Sequence, residues 1–229
     1  SHNYRLMASI QLHGTWYSPF PYRVMWALRM KGVDFEYVEE DLLDKSPELL
    51  QYNPVHQKVP VLVHNGQPVC ESMAIVEYID EMWPDNPVLP AKPLSRANAR
   101  FWANYFDAKT PTLRKLLSST GEELDKDAQE IAQIFQTIEE LALGDKKFFG
   151  GDDIGYVDIA FGLIGRWMGV LEELAGVEIL FASGKLHRLQ AWVKRFEEHP
   201  MIEQNLPDRN RLLSFFQKRR ELAVAPHAC

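Results

Sequence analysis

Cysteine is scarce in this chain. There are two, Cys70 inside an apolar stretch and Cys229 at the last position. That excludes a disulfide framework and a zinc pattern, suits a reducing compartment, and makes the cytosol (a cytoplasmic location) the expectation. The opening SHNYRLMAS lacks the apolar core of a secretory signal, and SHNYRL reads as a cloning remnant before a native start at Met7. Seven histidines fall at no metal-ligand spacing, so no metal is expected, and His13 and His56 are read as packing or facing water. No apolar run approaches the roughly 18–20 residues of a membrane span. Acidic and basic residues are interspersed at a formal net charge of −7, which leaves no broad cationic face for nucleic-acid phosphates. Internal repeats and low-complexity segments are also lacking. What is present is 229 residues, 46% of them hydrophobic, enough for one sizeable core or two modest ones.

Proline divides the chain. MWPDNPVLPAKPLSR, residues 82–96, carries four prolines and reads as a linker, with 87–94 as its centre. Ahead of it, SIQLHGTW and FEYVEED read as strands. SPFPYRVMWALRMKG is a helix with Phe20, Val24, Ala27 and Leu28 apolar. SPELLQYN is a short helix opened by Ser46 and Pro47. VPVLVHNGQPVC is a hairpin turning at Asn65–Gly66, and ESMAIVEYIDEMW is a third helix. This order predicts an α/β domain over residues 7–86. Beyond the linker the strand signals vanish and an all-α domain is expected over residues 95–229. LSRANARFWANYFDAK and DAQEIAQIFQTIEELAL are amphipathic, the second with Ile131, Ile134, Phe135, Ile138 and Leu141 in one stripe. YVDIAFGLIGRWMGVLEEL is apolar nearly all round and predicts a buried central helix. KLHRLQAWVKRFEEHP and DRNRLLSFFQKRREL complete the domain.

Four features carry chemistry. Ser18 precedes Pro19 and is either an N-cap or an anion donor. The third position inside the helix is Pro21, which has no N–H, so only Phe20 remains to be capped. A hydroxyl at the positive end of a helix favours an anion, and a thiol placed there ionises more readily. In KVPVLV, Pro60 deletes a ladder donor at a strand start. Base rates favour a trans Val59–Pro60 bond, since only about 5–6% of such bonds are cis. Glu71 and Ser72 mark a strand-to-helix junction that suits either capping by Ser72 or the reading of a ligand's carboxylate and ammonium. Lys45 and Lys58 are solvated lysines or part of a carboxylate clamp. Together these features fit a short, multiply charged thiol peptide: glutathione.

At these residues the chain resembles the soluble glutathione S-transferases, most of all the plant tau class. The resemblance runs through YSPFPYRVMWAL, KSPELLQYNPVHQKVPVLVHNGQPVCESMAIVEYIDE and RFWANYFDAK, and covers nearly the whole chain after Met7. It implies a thioredoxin-like N-terminal domain holding glutathione as co-substrate, and an all-helical C-terminal domain that helps form a hydrophobic acceptor site between the domains. It also implies a homodimer, and transfer of the thiolate to hydrophobic electrophiles in detoxification, with glutathione-dependent peroxide reduction as a side activity. Carried over by motif, Ser18 stabilises the thiolate, and Glu71 and Ser72 hold the γ-glutamyl end. The backbone of Val59, before a cis Pro60, pairs with the cysteinyl part, while Lys45 and Lys58 meet the glycyl carboxylate. Phe20, Arg114, Leu117, Trp167 and Phe215 are the expected acceptor-site lining. Glu77 and Asp80 are expected opposite Arg96 and Arg100 of a second copy.

The chain departs from the family pattern twice. In AKTPTLRKLL, Thr110 and Leu117 stand where tyrosine and tryptophan are expected, which alters the acceptor pocket. The central helix opens with IGYVD instead of a Ser/Thr-x-x-Asp box. Asp158 still reaches the cap N–H and Ile154 can staple to Ile159, so serine at Gly155 is expected to change stability by only a few tenths of a kcal/mol. Two rival functions compete with this reading. Thiol-disulfide chemistry such as dehydroascorbate reduction needs a cysteine where Ser18 stands, and Cys70 reads as a packed strand residue. A non-catalytic carrier of hydrophobic ligands would use the same apolar cleft.

Overall fold

The computed structural model describes residues 9–226; the stretch read as a cloning remnant, the start at Met7 and Cys229 lie outside the described residues. The chain divides into two compact units that meet in sequence at Asn86 and Pro87.

The first unit runs β1 (Ile10–Gly14), α1 (Pro19–Met30), β2 (Glu36–Glu39), α2 (Pro47–Tyr52), β3 (Val61–His64), β4 (Gln67–Cys70) and α3 (Ser72–Met82). The sheet order is β2-β1-β3-β4, with β2 parallel to β1, β3 antiparallel to β1, and β4 antiparallel to β3. Helix α1 is the crossover that a parallel β1–β2 pair requires. The β3–β4 hairpin turns at Asn65 and Gly66, whose φ values of 49° and 79° suit a two-residue turn matched to strand twist. Side chains alternate across the sheet. Leu62 pairs across from Leu12, while Val61 and Val63 on the other face pack with Leu49 of α2. Helices α1 and α3 pack together and contribute Val24, Trp26, Leu28, Ile75 and Ile79 to the core. Phe20 is half-buried, whereas Arg23 on the same helix is buried.

Asp80 is buried in this unit. Its Oδ1 lies 2.8 Å from Lys31 Nζ, both side chains are buried, and the same ammonium donates to the carbonyls of Asp85 and Asn86 at 2.8 and 3.0 Å. Within its own unit the carboxylate thus already has a cation, Lys31.

The second unit is helical: α4 (Pro93–Arg114), α5 (Gly121–Thr137), α6 (Tyr156–Phe161), α7 (Arg166–Ala175), α8 (His187–Glu198), α9 (Pro200–Glu203) and α10 (Arg209–Val224). Its centre is an aromatic chain in which Phe106 meets Phe161, Phe161 meets Phe149, and Phe149 meets Trp192, at centroid distances of 4.8–5.0 Å. Asp158 is buried beneath it. Burial pushes its carboxyl up, and the N–H groups of Phe149, Gly150 and Gly155 and the indole of Trp192 offset that cost by donating at 2.7–2.9 Å.

Four local expectations are corrected here. Helix α4 opens at Pro93, inside the expected linker, because proline suits a first helical position. The α5 stripe fails at its end. Ile138–Leu143 forms a wider turn with an i→i+5 bond from Gly144 N–H to the Glu139 carbonyl, which rotates the register. Leu141 is consequently 71% exposed while Ala142 and Leu143 are buried. The same turn brings Glu139 inward, where its Oε2 accepts from the Leu189 N–H at 2.8 Å. The central helix is broken: α6 passes through one tight turn, Gly162–Ile164, and Gly165 at ψ −101° separates it from α7. Finally, Gly155 is held by close packing. A Cβ there would press on Gly150 Cα at 3.1 Å and the Val88 carbonyl at 3.3 Å, so serine at that position requires the neighbouring backbone to give by a few tenths of an ångström, which cap propensity alone leaves out.

Helix α4 also runs through Pro111. A proline there removes the N–H that would bond the Asp107 carbonyl, and Thr110 Oγ1 donates to that carbonyl at 2.9 Å instead. Thr110→Val is therefore expected to cost about 1 kcal/mol in urea unfolding, and Thr110→Ser to retain most of the stability. Equal stability of Thr110→Val and the parent would remove this role.

Candidate active site

Ser18 ends the loop between β1 and α1, and the loop is fixed from two sides. Glu39 at the end of β2 accepts from Thr15 Oγ1 and the Trp16 N–H, both at 3.0 Å, and Tyr22 Oη donates to the Trp16 carbonyl at 2.9 Å. Ser18 N–H closes a turn onto the Thr15 carbonyl at 3.2 Å. The residue occupies the N-cap of α1 with extended backbone, φ −84° and ψ 133°, yet its side chain makes no capping hydrogen bond. The cap reading left open by the sequence is thereby excluded in this geometry, and the hydroxyl stands at the positive helix end without a hydrogen bond to the helix.

Glu71 and Ser72 lie one helix away. Glu71 is the N-cap of α3 with φ 72°, backbone that costs a non-glycine residue about 1–3 kcal/mol and clusters at functional sites. Ser72 is the first helical residue, not the cap. Its hydroxyl accepts from Arg23 Nη1 at 3.1 Å, and the Arg23 guanidinium covers the Phe20 ring at 5.0 Å. Helix α1 therefore supplies both the Ser18 hydroxyl and the arginine that orients Ser72. The exposed Glu71 carboxylate has His56 Nε2 at 3.8 Å, so His56 stands beside a candidate site residue and does not simply face water.

The loop from Asn53 to Pro60 is wrapped on Asn53, a buried residue that the sequence reading did not single out. Asn53 Nδ2 donates to the Lys58 carbonyl at 3.0 Å, and its Oδ1 and carbonyl accept the His56 and Gln57 N–H groups at 3.2 and 2.9 Å. The Val59–Pro60 bond is cis, as the resemblance implies and against the base rate. Val59 packs its side chain against the Leu49–Val61–Val63 cluster, and among the described residues its backbone N–H and carbonyl have no backbone partner. Lys58 is exposed and Lys45 half-buried. Cys70 Sγ donates to the Tyr52 carbonyl at 3.7 Å. Burial, followed by the Glu71 charge, pushes its thiol up, which disfavours a nucleophilic thiolate.

Lys45 leads into α2, whose N-terminus is held by a buried relay. His13 Nδ1 donates to Glu40 Oε1 at 2.8 Å, Ser46 Oγ donates to the same oxygen at 2.7 Å, and Ser46 Oγ in turn accepts from the Leu49 N–H at 3.1 Å. Burial pushes the Glu40 carboxyl up. The hydrogen bonds from His13 and Ser46, with the His13 charge behind them, outweigh that and leave it net below its ordinary value.

The expected acceptor-site residues belong to both units. Phe20 lies in the first. In the second, the short turn Lys115–Leu117, α7 and α10 pack on one another, which gathers the segments bearing Leu117, Trp167 and Phe215. Arg220 clamps them by donating to the carbonyls of Leu116 and Ser119 at 2.5 and 3.1 Å. Trp167 is only 4% exposed, Leu117 and Phe215 are half-buried, and Arg114 is exposed at the end of α4. Among the described residues no three His, Cys, Asp or Glu side chains are placed to hold a metal ion, and no helix is long and apolar enough to cross a membrane.

Comparison with known proteins agrees with this architecture. Residues 8–81 match the family model "Glutathione S-transferase, N-terminal domain" and residues 101–200 match "Glutathione S-transferase, C-terminal domain". A probable glutathione S-transferase of Nicotiana tabacum is 45% identical over 219 residues, 96% of this chain and 97% of that protein. The mango (Mangifera indica) tau-class enzyme MiGSTU superposes with a TM-score of 0.83 at 42% identity, covering 92% of this chain and 98% of its own. Rice GST1, solved in complex with glutathione, superposes with a TM-score of 0.88 at 35% identity over 96% and 99% of the two chains. The chain belongs to the glutathione S-transferase family. Within it the chain falls in the tau class, and it is a glutathione-conjugating transferase of the detoxification type.

Because Glu40 sits below its ordinary value in the folded protein, its ionisation stabilises the fold above the unfolded carboxylate value of about 4.3. That stability is lost as the pH falls through the lower folded value. Thermal unfolding of the parent is expected to weaken across this acidic window, and Glu40→Gln to flatten the fall. An identical acid profile in both proteins would contradict the relay.

Proposed function

We propose that Ser18 is the catalytic residue, and that its hydroxyl donates to the glutathione sulfur without taking its proton. The supporting observation is the N-cap serine of α1 whose side chain makes no capping bond. Lowering a thiol pKa by one to two units requires roughly 1.4–2.7 kcal/mol, within reach of a helix terminus plus one hydrogen bond to a charged sulfur. In the same reading Glu71 takes the γ-glutamyl ammonium, and Ser72, oriented by Arg23, takes the γ-glutamyl carboxylate. The backbone of Val59 pairs with the cysteinyl part as an added strand would, and Lys45 and Lys58 meet the glycyl carboxylate. Proximity of the thiolate to the bound electrophile supplies much of the rate.

The remaining parts of the reading are finer. Residues 7–86 form the glutathione-binding domain and residues 95–229 the domain that contributes the acceptor site. Phe20, Arg114, Leu117, Trp167 and Phe215 line that site, with Thr110 and Leu117 reshaping it relative to the family pattern. A cytoplasmic homodimer that uses no metal, nucleic acid or membrane partner completes the picture. Glutathione-dependent peroxide reduction is a side activity that needs no protein cysteine.

Ser18→Ala is expected to lower conjugation of a chloronitrobenzene acceptor about 10²-fold in kcat while changing glutathione affinity little. Unchanged turnover would overturn the assignment of Ser18.

A further inference from the structure

In the proposed glutathione site Glu71 takes the ligand's ammonium, yet the protein brings a cation of its own to the same carboxylate. His56 Nε2 lies 3.8 Å from Glu71 Oε1. Among the described residues His56 is the ion-pair partner that Glu71 has. The separation exceeds a hydrogen bond, so the contact is one between charges. It exists only while the imidazole carries a second proton, and imidazole is the side chain whose ordinary charge change falls between pH 5 and 8.

Both residues are held by their backbones. The His56 N–H donates to Asn53 Oδ1 at 3.2 Å. Its neighbour Gln57 turns at φ 53° with its N–H on the Asn53 carbonyl at 2.9 Å. Glu71 caps α3 at φ 72°, and its carbonyl accepts the Ile75 N–H at 2.8 Å. The fold therefore sets the two side chains side by side. They stay open to water, 54% and 68% exposed, so a ligand reaches the carboxylate and a proton reaches the ring.

The neighbouring groups do not duplicate this behaviour. Lys58, two residues along the same loop, is exposed, and a lysine carries its charge on both sides of neutrality. Cys70, which precedes Glu71, donates its thiol to the Tyr52 carbonyl, and burial followed by the Glu71 charge pushes that thiol up. It stays protonated where an imidazole titrates. The other two described imidazoles of this unit are buried: His13 bonds Glu40 at 2.8 Å and His64 bonds Tyr78 at 2.7 Å. His56 is thus the exposed imidazole of the unit, and it stands at the carboxylate that the ligand's ammonium needs.

We propose that His56 competes with the γ-glutamyl ammonium for Glu71: protonated, it pairs with the carboxylate and repels the ligand's cation, and neutral, it leaves the carboxylate to the ligand. Affinity for the γ-glutamyl end therefore falls as the pH drops, whatever the thiol does. The proposal rests on the reading of Glu71 and is independent of that of Ser18. An exposed ion pair in water is worth little, which sets the effect at about two- to fourfold.

Calorimetric titration of the full chain with S-methylglutathione, which has no thiol to ionise, tests this at about pH 7 and about pH 5.5. The parent is expected to bind about two- to fourfold more weakly at the lower pH. His56→Gln should bind equally at both, and His56→Lys, charged throughout, should bind weakly at both. An affinity of the parent that does not fall, or a fall that survives in His56→Gln, would overturn the proposal. A second probe, S-methylated glutaryl-cysteinyl-glycine, lacks only the amine. Weaker binding of that probe at about pH 7 supports the Glu71 reading, so a fall surviving in His56→Gln would then count against His56 alone. Equal binding of the two probes would remove the Glu71 reading, and the competition with it.

Discussion

The chemistry proposed for this enzyme depends on a hydroxyl that its own helix leaves unused. Ser18 stands at the N-cap of α1 with no side-chain cap bond, because Pro19 opens the helix and Pro21 removes the donor a capping serine would usually meet. Everything around it holds that geometry in place. Glu39 and Tyr22 fix the preceding loop from opposite sides. Arg23, one turn further along α1, reaches across to Ser72. Helix α1 thus ties the two ends of the proposed glutathione site together, one end through its terminus and the other through its buried face.

The same unit shows how supporting polar groups are made affordable in a small core. His13 Nδ1 and Ser46 Oγ both donate to Glu40, and Ser46 Oγ in turn accepts from the α2 backbone. Lys31 and Asp80 form a buried pair whose remaining donors go to carbonyls at the end of the unit. In the helical unit Asp158 plays the corresponding part, collecting three backbone N–H groups and the Trp192 indole. A buried carboxylate surrounded by donors is tolerated because its hydrogen bonds replace water. Glu172 on α7 is the contrasting case, with one carboxylate oxygen, Oε2, that is buried but not answered.

Much of this was legible in the sequence, and the misses have physical causes. Element types followed from periodicity and turn chemistry, including the Asn65–Gly66 hairpin and the Ser46–Pro47 helix start. The α5 stripe misplaced Leu141 because an inserted i→i+5 turn, with Glu139 drawn toward α8, changes the period without changing composition. The central helix was read as continuous because Gly165 is unremarkable in sequence; its role is the approach of Glu197 from a distant helix. The candidate residues Ser18, Glu71 and Ser72 were visible at helix junctions. Arg23, Asn53 and Glu40 were not, since their roles exist only through tertiary hydrogen bonds. Of the two readings open for Ser72, the cap fails, because Glu71 takes that position.

The most direct measurement is an ultraviolet titration of the glutathione thiolate bound to the parent and to Ser18→Ala. The account predicts that the bound sulfur ionises roughly one to two pKa units more easily than in free solution, and that the alanine variant loses most of this difference. A bound thiol that titrates as it does in water, or one whose lowered value survives the loss of the Ser18 hydroxyl, would contradict it.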